Sequence, residues 1–114
     1  MTDTNLFDQV WAEYIKPMSG KTIRNEYGLS AKVLNVTDDY VEKLSHTGKV
    51  TRVSKEMFRW IADNIRANGT ANTADLRNCF CAIDASSFVT LVYANIPLFD
   101  VHYNPRTIRL KEAA

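Results

Sequence analysis

The chain has 114 residues, 46% hydrophobic and 24% charged, which suits one globular domain and excludes a disordered or fibrous chain. The 14 Lys and Arg stand against 13 Asp and Glu, spread as seven basic and seven acidic in residues 1–53 and seven and six in residues 54–114. So even a balance argues against bulk phosphate neutralisation and against a polybasic membrane surface.

The start, Met1-Thr2-Asp3-Thr4, shows no basic region followed by an apolar stretch, so no secretory leader is expected. From about Asn5 to Lys16 the residues Leu6, Phe7, Val10, Trp11, Tyr14 and Ile15 form one broad apolar stripe at helical period. Thr4 is the expected N-cap, and Pro17 with Ser19-Gly20 the stop.

Between Lys21 and Val53 the period changes to two. Leu29, Ala31 and Val33 alternate with Ser30, Lys32 and Leu34, Asp38-Asp39 breaks the run before Tyr40, and Thr47-Gly48 breaks it again before Lys49. An antiparallel meander of three strands is predicted, with a fourth short one at Thr22. Its apolar face needs a helix, and the first helix is the expected partner.

Ser54 caps a second helix that carries Met57, Phe58, Trp60, Ile61 and Ile65 and stops at Asn68-Gly69. Asn72 or Thr73 caps a short helix reaching Phe80, with Asp75 in its first turn. Asp84 caps another from Ala85 to about Asn95, ended by Pro97. Leu98 to Tyr103, a turn at Asn104-Pro105, and Thr107 to Leu110 close the chain as a hairpin.

Helix, short helix, turn, helix and hairpin is the winged helix-turn-helix order. On that reading Ala85 to Asn95 enters a groove, Ser86, Ser87 and Thr90 offer hydroxyls to base edges or phosphates, and Arg77, Arg106 and Arg109 contact phosphates. Yet the presumed reader carries no Lys, Arg or Gln. The alternative is a core helix whose hydroxyls face solvent.

Other chemistries are less well supported. Cys79, Cys81 and His102 lack metal-site spacing and a fourth ligand, and the two cysteines diverge by about 200° on a helix, so buried thiols are expected and no metal or cofactor. No glycine-rich turn presents a Cys beside His46 or His102 as a nucleophile. Asp38 and Asp39, adjacent on one strand, cannot converge on a metal and read as turn residues that bond local backbone. Gly20-Lys21-Thr22 lacks the earlier glycine of a phosphate-binding loop. Trp11, Tyr14, Phe58 and Trp60 have the spacing of packing residues, not of a stacking platform.

The segments Met18-Ser19-Gly20-Lys21-Thr22, Lys49-Val50-Thr51-Arg52-Val53-Ser54, Ser86-Ser87-Phe88-Val89 and Asn95-Ile96-Pro97 occur in an order that resembles the small winged-helix-like modules attached to restriction and other DNA-processing enzymes. The resemblance implies DNA association.

The expectation is one α+β domain over residues 1–114, with a helix plus antiparallel meander in 1–53 and a winged-helix-like half in 54–114. It is expected to be a non-enzymatic, cytoplasmic module that contacts duplex DNA or docks a DNA-processing protein, with no membrane partner. The alternative is a protein-interaction module, such as a small inhibitor or adaptor, with no nucleic-acid contact. The stripe around Trp11 and Tyr14 is wider than a small sheet needs, and a homodimer contact is expected there.

Overall fold

A computed structural model describes residues 6–25, 28, 30–44, 48–80, 83–103 and 106–111, without the side chains at 77–80, 83, 84, 103 and 106. The fold is α+β. The expected caps at Thr4 and Asp84, the thiols of Cys79 and Cys81, His46, and the turn at Asn104-Pro105 lie outside the described residues and side chains.

The leading stripe folds, but not as one α-helix. Leu6–Val10 is α-helical (α1), Trp11–Ile15 is a π turn, and Lys16–Met18 is a 3-10 turn. Pro17 accounts for the change: it has no N–H, and in a continuing α-helix its ring would strike the carbonyl of Glu13. The Lys16 N–H reaches back to Trp11 O instead. The result buries Phe7, Val10, Trp11, Ile15 and Met18 together.

The meander has four strands, β1 (Thr22–Arg24), β2 (Ser30–Val36), β3 (Tyr40–Leu44) and β4 (Val50–Ser54), antiparallel and in the order β1-β2-β3-β4. Val36, Val41 and Val53 lie in register across it, as do Val33, Lys43 and Thr51, and these rows form the inner face. The bend between β2 and β3 is tied by Thr37, whose Oγ1 accepts from the N–H groups of Asp39 and Tyr40, each at 3.1 Å. Asp38, expected to bond local backbone, instead accepts from Lys16 Nζ at 2.7 Å. The 3-10 turn packs on β2, and a later helix, Ile83–Ala94, reaches β1 and places Phe88 under Lys43 of β3. Thus this later helix and the 3-10 turn lie against the sheet, while α1 packs on the helix that follows β4.

β4 runs straight into α2 (Lys55–Asn68), where Ser54 Oγ accepts from Glu56 N, and Gly69, at φ 86°, closes the helix by donating its N–H to Ile65 O. A three-residue strand not foreseen from the sequence, β5 (Thr70–Asn72), follows. Asn72 Oδ1 accepts from Ala74 N at 2.8 Å and caps α3 (Thr73–Phe80). Next comes α4 (Ile83–Ala94). β6 (Phe99–Tyr103) and β7 (Arg106–Leu110) complete a second antiparallel sheet in the order β5-β7-β6.

One buried cluster runs through both halves of the chain. Its spine is aromatic: Phe7 to Trp11, Trp11 to Phe58 and Phe58 to Phe88 have ring centroids 5.6, 5.7 and 6.4 Å apart, which joins α1 and the π turn through α2 to α4.

Candidate functional site

The expected reader face on α4 is not a face at all. Ser86 is 4% exposed and Thr90 1%, and Phe88, Val89, Leu91, Val92 and Tyr93 are buried beside them; among the described side chains of the helix only Ala85, Ser87 and Ala94 are partly exposed. Thr90 Oγ1 donates to Ser86 O at 2.8 Å, which satisfies the hydroxyl inside the helix. Ser87 is half-buried. The assignment of Ser86 and Thr90 to base or phosphate contacts is therefore corrected: neither hydroxyl reaches solvent.

The enclosure comes from four directions. Phe58 and Tyr93 bind α2 to α4, the Tyr93 hydroxyl donating to Phe58 O at 2.7 Å. Burial pushes that hydroxyl far above its ordinary pKa, and Asp63 adds to the shift, so Tyr93 stays a neutral donor. Lys43 sets its ammonium 5.1 Å from the Phe88 ring centroid, and α3 and β6 pack on the remaining sides. At the end of α4, Asn95 Nδ2 donates to Leu91 O and to Arg24 O of β1.

The expected phosphate contacts divide. Arg109 is exposed on β7 and lines an open cleft of about 570 Å³ with Gly69, Thr70, Asp100, Leu110 and Lys111. Asp100 stands opposite Arg109 in the strand register, so an acid shares the cleft with the two cations. The side chains of Arg77 and Arg106 lie outside the described set.

Trp11 is corrected as an interface residue. It is 4% exposed and held between Phe7 and Phe58, with Lys55 Nζ 5.2 Å from its ring centroid. The stripe is wide because it meets α2. Tyr14 is half-buried and lines a cleft of about 370 Å³ with Glu13, Pro17, Lys21 and Asn95. The indole Nε1 of Trp11 is buried with no hydrogen-bond partner among the described residues.

Among the described residues no three His, Cys, Asp or Glu side chains come together, and no helix is long and apolar enough to cross a membrane. His102 is exposed on β6. What the first sheet does offer is an open outer face, where register aligns Thr22, Lys32, Leu44 and Val50 in one row and Asn35, Glu42 and Arg52 in the next. Arg52 donates to Glu42 at 3.1 Å and lies 4.7 Å over the Tyr40 ring. Sequence reasoning missed this surface because the alternation of the strands gives their two faces but not the register that aligns Lys32, Glu42 and Arg52 with their neighbours. Comparison with known proteins finds no matching family model, no similar curated protein and no similar solved structure.

Proposed function

We propose that the chain is a non-enzymatic docking module that binds a protein partner in a DNA-processing system and does not itself read bases. The closure of α4 carries this reading. The order α2, β5, α3, α4, β6, β7 with sheet order β5-β7-β6 supports the link to the winged-helix-like modules that the sequence resembles. In helix-turn-helix proteins the second helix of the motif lies in the major groove. On this reading the corresponding helix is α4, and α2 and the first sheet pack against it.

Charge supports the same conclusion. The net charge is +1, and Lys16, Arg52 and Arg59 each lie beside a carboxylate. A second reading, contact with the duplex backbone through the β6–β7 hairpin, is favoured by Arg109 and Lys111 beside Thr70.

Titration of the isotope-labelled chain with a 20-base-pair duplex at low salt separates the two. The docking reading expects binding weaker than the roughly 10⁻⁴ M typical of non-specific DNA association, and the same result for Thr90→Val. Saturable binding that weakens with salt and is lost in Arg109→Ala overturns it in favour of backbone contact.

A further inference from the structure

We infer that the open edge of β4 takes up an extended, acidic segment of the partner as a fifth strand of the first sheet; the inference rests on the docking reading above. The ladder phase defines the edge. Lys55 N donates to Asp39 O at 2.8 Å, and antiparallel bonding alternates, so Val53 and Thr51 bond toward Val41 and Lys43 while Val50 and Arg52 turn their N–H and C=O groups away from β3. Among the described residues no element pairs with that side. The opposite edge differs: β1 has three residues, and Asn95 already occupies the carbonyl of Arg24.

Side chains define what the edge accepts. Val50 is 52% exposed and extends the row of Leu44, so an incoming aliphatic residue opposite it continues an apolar row. Two positions on and on the same face, Arg52 uses Nε for Glu42 and has a side chain 64% exposed, leaving the ends of its guanidinium fork for a second carboxylate. A second copy of this chain is the wrong occupant, because pairing β4 with itself brings Arg52 toward Arg52, and charged edges of this kind oppose self-association.

The probe is the blocked heptapeptide Thr-Val-Thr-Glu-Thr-Val-Thr, which puts valine, glutamate and valine on one face of a strand. At saturating peptide the amide protons of Val50 and Arg52 should exchange at least about tenfold more slowly, and lysine in place of glutamate should weaken binding by about tenfold. Val50→Pro removes a donor that β3 does not use, so it should keep the parent melting curve and lose the peptide. Arg52→Glu should reverse the preference, making the lysine peptide the tighter ligand. Absence of peptide binding by the folded parent, protection at Val101 of β6 in place of Val50 and Arg52, or an unreversed preference in Arg52→Glu overturns the inference and leaves the docking reading standing. That reading fails separately, by saturable duplex binding.

Discussion

Helices α2 and α4 are of similar length, yet α2 turns one side to solvent whereas the described side chains of α4 are all buried or half-buried. α2 buries Met57, Phe58, Ile61, Ala62 and Ile65 and turns Glu56, Asp63 and Arg66 outward, as a two-sided residue pattern requires. α4 places Ser86 and Thr90 where a polar face would be, and both are buried. Hydroxyls do not mark a helix face: Thr90 satisfies its own hydroxyl on the carbonyl one turn back, whereas a carboxylate or guanidinium has no such option.

A charge placed on each helix should break the comparison most sharply. Val92 is 0% exposed, so Val92→Asp inserts an unpaired carboxylate into the core and should cost more than about 4 kcal/mol, enough to abolish a cooperative melting transition. Asp63→Lys, on the outer side of α2, should stay within about 0.5 kcal/mol of the parent in denaturant unfolding. Equal tolerance at the two positions would show that α4 is accessible and would reopen the groove-reading role.

Much of the fold was legible in the sequence, and the misses have physical causes. Ser54 and Gly69 bounded α2 as read because capping and left-handed closure are local chemistry. The meander strands were found from their alternation and from the breaks between them. β5 was missed because three residues after a helix stop carry no periodicity, and its strand character comes wholly from pairing with β7. The split of the first helix hinged on Pro17, read as a stop when its effect begins a turn earlier. The site was the least legible part. Whether Ser86, Thr90 and Trp11 face solvent depends on what packs over them from elements tens of residues away, and a single helix pattern does not contain that.

The bond from Tyr93 to Phe58 O joins the two helices directly, and its removal gives an intermediate effect. Tyr93→Phe keeps the ring against Phe99, 4.9 Å away between centroids, and should lose about 1–2 kcal/mol with the buried hydrogen bond to Phe58 O. The pH dependence has a definite sign. The folded-state pKa of Tyr93 is raised above its ordinary value of 10.0, so the folded chain holds the proton more tightly, and the stabilisation is complete below pH 10 and declines as pH rises beyond it. Unfolding curves measured from pH 8 to 11 should therefore converge for parent and Tyr93→Phe at the alkaline end; a constant gap would place the hydroxyl in water.

The smallest effect sets the scale for a polar contact that is not enclosed. Lys16 and Asp38 tie the 3-10 turn to the β2–β3 bend at 2.7 Å, with side chains 44% and 84% exposed. The hydrogen bond and charge of Lys16 hold the Asp38 carboxyl below its ordinary pKa of 3.8, so its contribution is present above that value and disappears as pH falls through the lower, folded one. Asp38→Asn should shift the melting temperature at pH 7 by less than Tyr93→Phe does, and 1 M salt should erase most of the shift, because exposed charges are screened within a few ångströms there. The Tyr93→Phe shift should survive the same salt, since a buried neutral hydrogen bond has no ionic atmosphere to respond to. If salt reduced both alike, Tyr93 would belong with the surface contacts, and the enclosure of α4 on which the docking reading depends would have to be abandoned.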